Sequence, residues 1–179
     1  KGLWVDLGAG TGLLADALES LNPNQEVLRI DGSQRMLSFC KSKSKKEIWD
    51  LNFGLPKLDR IPTLIASSFA LHWLEDPQAK LQEWFYSLAS EGFLALAVPV
   101  KGSFPEWKQA SNDAKVPFTA LDFPSPKILL KSIPQSCIQY QNILQITEFE
   151  NKVPSLLKNI RQVGGQARKS KPISISEWR

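Results

Sequence analysis

The stretch Asp6-Leu7-Gly8-Ala9-Gly10-Thr11-Gly12 sets three glycines at alternate positions directly behind an aspartate. Glycine frees the backbone for a tight turn and lets a ligand approach the chain without meeting a Cβ. A pyrophosphate-binding fingerprint, G-x-G-x-x-G, would need glycine at position 13, where Leu13 stands; the spacing here is G-x-G-x-G. Asp6 points the same way, because a carboxylate ahead of the turn repels phosphate and suits ammonium or sulfonium charge. The turn is expected to hold a ligand with a cationic end.

Two more acids extend the pattern. Asp31 closes a second apolar run, where both its oxygens can accept from ribose hydroxyls, and Gly32 and Ser33 follow beside the base. Asp50 closes a third run, placed to accept from an adenine amino group. Alone, a glycine-rich turn or a strand-end aspartate is commonly a turn or cap residue. Three acids on three successive strand ends behind one glycine turn select an adenosine carrying a cationic tail, and S-adenosylmethionine is such a molecule.

The elements that must position these residues alternate between strand and helix. Strands are expected at Leu3–Leu7, Glu26–Ile30, Glu47–Trp49, Thr63–Ala66 and Phe93–Val98, from short apolar runs bounded by Gly, Pro and Asn. Helices are expected at Thr11–Leu21, after Ser33, and at Gln78–Leu88, where Leu81, Trp84, Phe85 and Leu88 recur at helical spacing. Such alternation predicts an α/β fold, a doubly wound and mainly parallel sheet with the ligand along its carboxyl edge. Beyond Pro99 the expected elements are helices near Glu106–Ser111 and Pro126–Lys131, a strand near Ile138–Thr147 and a helix at Pro154–Val163. No linker separates two domains, so residues 1–179 are expected to form one domain: a donor-binding core, 1–100, and acceptor-side and C-terminal elements, 101–179.

Composition narrows the partners. At 179 residues with ordinary apolar and charged fractions, one core is expected. The longest apolar run, Phe93–Val100, falls far short of the roughly 20 residues a membrane span needs. Cys40 and Cys137 stand far apart and His72 is the single histidine, so no metal site is expected and a reduced, cytoplasmic setting fits. The net charge of +4 is concentrated at Lys41, Lys43, Lys45 and Lys46 and again from Arg161 to Lys171. A solvated helix end explains the first group and an acidic carrier protein is the alternative. No basic stripe interleaved with aromatics suggests a nucleic-acid partner. The chain opens on Lys-Gly-Leu-Trp-Val, without an initiator Met, which reads as a trimmed start.

With V-D-L-G-A-G-T-G, R-I-D-G-S-Q-R-M-L and Trp49-Asp50-Leu51 in place, residues 3 to about 100 resemble the class I S-adenosylmethionine-dependent methyltransferases. The resemblance implies a Rossmann-like sheet and a donor set: Asp6, Gly8 and Gly10 at the methionine end, Asp31 at the ribose, Met36 near the adenine, and Asp50 and Leu51 at the base, with Gly12 and Gly32 in the same cofactor-binding set. Ser67 completes that set. Ser67-Ser68-Phe69-Ala70-Leu71-His72-Trp73 and Val98-Pro99-Val100-Lys101-Gly102-Ser103-Phe104-Pro105-Glu106 look more narrowly like the malonyl-acyl carrier protein O-methyltransferases of biotin synthesis. The first of these stretches also resembles trans-aconitate methyltransferases. Family members carry a segment before the first motif and a final strand beside the fifth, neither visible here.

The resemblance implies transfer of a methyl group to a free carboxylate, and His72, Trp73 and Lys101 are expected on the acceptor side because the segments after the fourth and fifth strands, Ser67–Trp73 and Lys101–Trp107, leave the sheet at the donor's edge. No catalytic acid or base is assigned, since a carboxyl of pKa about 4 is already ionised near neutral pH, and alignment and desolvation would supply the rate. A packed or solvent-facing role is the alternative for His72 and Trp73, and an exposed loop lysine for Lys101. A donor-binding module without turnover remains the rival from another class, and a nicotinamide-dependent oxidoreductase a weaker one.

Overall fold

The computed structural model describes residues 2–41, 43–117, 122–147 and 149. The chain divides into two units, Lys1–Lys101 with Phe123–Ile138, and Gly102–Asp122 with Gln139–Arg179.

The first unit is built on five strands: β1 (Leu3–Leu7), β2 (Val27–Asp31), β3 (Lys46–Ile48), β4 (Pro62–Ser68) and β5 (Phe93–Ala97), in the order β3-β2-β1-β4-β5. Every pairing is parallel. Parallel neighbours cannot be joined by a hairpin, so helices carry the chain back: α1 (Leu13–Leu21) after β1, α2 (Gln34–Leu37) after β2 and α3 (Pro77–Tyr86) after β4. The chain runs outward from β1 to β3 and then returns to β4 on the other side of β1. Ligands in open α/β sheets bind outside the carboxyl ends at such a reversal. In the register, Leu7 pairs with Ile30, Asp6 with Ala66 and Asp31 with Ile48, which brings the three acid-bearing strand ends to one edge.

β1 is central and covered on both faces, so consecutive residues Val5, Asp6 and Leu7 are all buried. Val5 and Leu7 pack with Ile30, Ile65, Leu71, Leu81 and Trp84 into one core. α1 is locked to β2 by charge as well. Arg29, in the middle of β2 and fully buried, donates from Nη2 to Asp16 Oδ1 at 2.6 Å and Glu19 Oε2 at 2.8 Å. Its Nη1 donates to Glu19 Oε1 and the Val27 carbonyl, both at 3.0 Å. A buried guanidinium is tolerated because nearly all of its fork finds acceptors.

The second unit holds α4 (Pro105–Asp113), which ends in a left-handed Lys115 with the Val116 N–H bonded to the Ser111 carbonyl at 3.0 Å. α5 (Pro126–Lys131) returns to the first unit, buries Leu129 against its core and is followed by a 3₁₀ turn, Gln135–Cys137.

The expected α/β sheet is therefore found, each strand ending within two residues of its expected place. One expectation fails. Ile138–Thr147 is not a strand: these residues pair with no described strand, and Tyr140, Ile143, Leu144 and Ile146 are exposed. A strand exists only with a neighbour to take its N–H and C=O groups, and an apolar run cannot reveal whether that neighbour is present. The helix expected at Pro154–Val163 lies outside the described residues. Among the described residues no helix is long and apolar enough to cross a membrane.

Candidate functional site

The turn after β1 is a run of left-handed glycines, with φ of +71° at Gly8, +53° at Gly10 and +86° at Gly12. Two separate packing demands hold it. At Gly8, a Cβ would lie 2.1 Å from the Ala70 Cβ, so the turn after β1 rests directly on the segment after β4. At Gly12, a Cβ would meet Cys40 Sγ at 2.9 Å and Arg29 Nε at 3.1 Å, so this glycine serves the packing beneath the turn. At Gly10 the nearest atom is Met36 Cε at 3.7 Å, which leaves that backbone approachable under a methionine side chain.

The acids are fixed by backbone amides. Asp31 accepts from the Gly10 N–H through Oδ2 at 2.8 Å and from the Ser33 N–H through Oδ1 at 2.7 Å. Each oxygen keeps a second lone pair for a ligand hydroxyl. Asp6 is buried and accepts the Ala15 N–H of α1 through Oδ2 at 3.1 Å, capping that helix from the neighbouring strand. Burial drives its pKa from 3.8 up to about 6; the Ala15 hydrogen bond and the Arg29 charge oppose this, while the Asp31 charge adds to it. At neutral pH it carries a negative charge under the turn.

Asp50 is exposed and caps the 3₁₀ turn Leu51–Phe53, accepting the Asn52 N–H at 2.9 Å. Leu51 is buried behind it. Gly32 adjoins this corner, since a Cβ there would lie 3.9 Å from the Asp50 Cα. The structure thus brings Gly10, Asp31 and Met36 together, and Gly32 beside Asp50. Their sum is a pair of hydroxyl acceptors at the end of β2 and a buried carboxylate beside the glycine turn, which fits a nucleoside with a cationic tail. Ser67 is placed differently from its neighbours: its hydroxyl donates to the Leu7 carbonyl at 2.7 Å and ties β4 to β1.

Beyond β4 the chain makes a 3₁₀ turn, Leu71–Trp73, that carries the single histidine into an aromatic cluster. The His72 ring lies 4.8 Å from Trp73, 5.4 Å from Phe123 and 6.5 Å, edge to face, from Phe69. Its Nδ1 is buried and finds no hydrogen-bond partner among the described residues. Burial pushes its pKa from 6.5 down to about 4, so the imidazole is neutral at pH 7. Lys101 is exposed, and its backbone N–H bonds to the Pro124 carbonyl at 2.9 Å, one residue from the Phe123 that faces His72.

Sequence reasoning missed Arg29, Ala70 and Phe123. Arg29 left a signal, a charge inside the apolar run V-L-R-I-D of a strand expected to be covered on both faces. Ala70 and Phe123 left none, because each matters only through what the fold sets against it. Among the described residues no cluster of His, Cys, Asp or Glu could hold a metal ion.

A methyltransferase domain family model matches residues 5–96, just over half of the chain, from within β1 to within β5. This chain belongs to that family. The class I S-adenosylmethionine-dependent methyltransferases have S-adenosylmethionine as their cofactor, and the residues of the glycine turn and the three acids fit it. The chain is similar to a malonyl-[acyl-carrier protein] O-methyltransferase of Bacillus cytotoxicus, with 27% identity over 116 residues, covering 62% of this chain and 40% of the relative. It is similar to a trans-aconitate 2-methyltransferase of Methylobacterium radiotolerans, 31% identical over 102 residues, covering 54% of this chain and 38% of the relative. The chain therefore spans about two fifths of the length of these methyltransferases. The YcgJ protein of Bacillus subtilis shares the fold, with a TM-score of 0.63 at 19% identity over 93% of this chain and 73% of the other.

Proposed function

We propose that this methyltransferase-family chain transfers the methyl group of S-adenosylmethionine to a free carboxylate, that of a malonyl group on acyl carrier protein or coenzyme A in biotin synthesis. The carrying observation is the Asp31 carboxylate, clasped by the Gly10 and Ser33 amides at the carboxyl end of β2, the strand beside the central β1. Residues 1–179 are read as one methyltransferase domain, with 1–100 as the donor-binding core and 101–179 on the acceptor side.

Bound S-adenosylmethionine supplies a methyl group on a sulfonium, open to in-line displacement. Asp31 accepts the ribose hydroxyls, Asp6 sets a negative charge beneath the methionine end, and Asp50 with Leu51, Gly32 and Met36 surrounds the base. A carboxylate acceptor is ionised already at a pKa of about 4, so the neutral His72 has no proton to remove. His72 and Trp73 are read as the acceptor's apolar floor, and Lys101 as the nearest cation for its carboxylate or thioester oxygen. Their work is alignment and exclusion of water. The basic group Lys41–Lys46 is a smaller surface for an acidic carrier than its count implies, because Lys41 pairs with Asp16 at 3.1 Å and Lys45 with Glu26 at 2.9 Å.

The likeness to a trans-aconitate methyltransferase supports a second reading, in which a free small acid is the acceptor. Both are tested by titrating the chain calorimetrically with S-adenosylhomocysteine and then assaying methyl transfer to malonyl-acyl carrier protein, malonyl-coenzyme A and trans-aconitate. Transfer to a malonyl thioester is expected. Transfer to trans-aconitate alone would replace the acceptor, and binding without any turnover would leave a donor-binding module.

A further inference from the structure

Phe69 adopts a conformation that its residue type resists. Its φ is +55°, in the left-handed region where a Cβ crowds the backbone. Glu91 and Lys115 share that region, but Glu91 lies in a turn closed by the Gly92 N–H on the Ala89 carbonyl, and Lys115 ends α4. Turns and helix ends favour left-handed residues. Phe104 stands at the start of α4 in the second unit. Phe69 stands elsewhere, at the exit of β4 on the carboxyl edge. Its N–H is held by the Ala97 carbonyl at 2.8 Å, one step beyond the last β4–β5 pair. Its neighbour Ala70 is the residue against which Gly8 rests.

Glycine or asparagine would make the same bend at lower strain, and burial does not account for the ring, which is 53% exposed. Residues held in strained backbone conformations cluster at functional sites. Here the ring stands edge to face with His72, whose Nδ1 has no described partner.

We propose that the Phe69 ring is the wall against which the acceptor lies as its carboxylate meets the methyl donor, so that this residue sets which acids are methylated. The inference rests on the methyl-transfer reading above and adds to it a specificity-determining contact. Phe69 removes no proton and holds no charge: it offers a flat apolar face beside His72 and Trp73, which suits an acceptor whose carboxylate is attached to a short apolar or thioester-bearing chain.

The test uses Phe69→Gly, Phe69→Asn and Phe69→Leu in the whole chain, with melting temperature, S-adenosylhomocysteine affinity and initial rates on malonyl-coenzyme A and trans-aconitate. Phe69→Gly and Phe69→Asn are expected to melt no lower than the parent and to bind S-adenosylhomocysteine within about threefold. Their kcat/KM for the preferred acid should fall by at least about tenfold, chiefly through KM. Phe69→Leu should change the ratio of rates on the two acids. Unchanged rates in the glycine variant would overturn the proposal. So would melting temperature and donor affinity falling together in both Gly and Asn variants, which would mean that the ring only packs. A parent chain that binds no S-adenosylhomocysteine, or methylates neither acid, would instead remove the methyl-transfer reading, and this inference with it.

Discussion

The Gly10 N–H and Asp31 Oδ2 are joined by a 2.8 Å hydrogen bond, so the side chain expected at the ligand's ribose also fixes the backbone expected beside its methionine end. Removing it acts on both. Asp31→Ala should weaken S-adenosylhomocysteine binding by about 1–3 kcal/mol, the range for a charge-assisted acceptor. Calorimetry that shows parent affinity in this variant would take Asp31 out of the donor site.

Gly8→Ala faces two costs, a left-handed φ and a Cβ placed 2.1 Å from that of Ala70. A loss of several kcal/mol is expected, above the roughly 1 kcal/mol of the backbone cost alone. Adding Ala70→Gly removes the collision and leaves the backbone cost, so the double variant should recover most of the lost melting temperature. No recovery would show that the two turns do not bear on each other.

Arg29→Met leaves the Asp16 and Glu19 carboxylates without their shared cation. Breaking a buried ion pair costs about 3–5 kcal/mol, and since these carboxylates are a quarter to a third exposed, about 3 is expected. Denaturant unfolding measures it. A loss below about 1 kcal/mol would mean that the guanidinium contributes little to holding α1 on β2.

Asp6 and His72 pull stability in opposite directions with pH. The Asp6 pKa is raised from 3.8 to about 6, so the folded state binds the extra proton and stability falls as pH rises from about 4 to 6. The His72 pKa is lowered from 6.5 to about 4, so the unfolded state binds the extra proton and stability rises over about pH 4 to 6.5. The two trends oppose each other over the same window. Asp6→Asn should melt higher with rising pH across that window, and His72→Phe should melt lower. Parallel pH profiles in the parent and both variants would contradict the assignment. A cationic ligand over the turn should also expel the Asp6 proton near pH 5–6, measurable as proton release in buffers of differing ionisation enthalpy.

The sheet was legible from the chain because short apolar runs and glycine turns alternate without ambiguity up to Ala97. The glycine turn was legible for the same reason, its φ angles being a property of residue type. Arg29 was harder: V-L-R-I-D announces a buried charge, yet its partners Asp16 and Glu19 read locally as the solvent face of α1. Asp6 was assigned for its charge, and its cap on Ala15 needs the fold to bring strand and helix together. Ile138–Thr147 failed because apolar alternation describes one strand and pairing takes two.

Ser67 donates to the Leu7 carbonyl across sixty residues of chain, and Gly8 settles on Ala70 over a similar span. Closing a loop of that length costs entropy before any contact returns it. In chain order the glycine turn and all three acids come before β4, and their contacts with one another and with β2 are local, whereas the seats offered by Ser67 and Ala70 arrive only with β4 and the segment after it. A chain stopping short of Ala70 would carry the glycine turn and all three acids without the segment on which Gly8 rests.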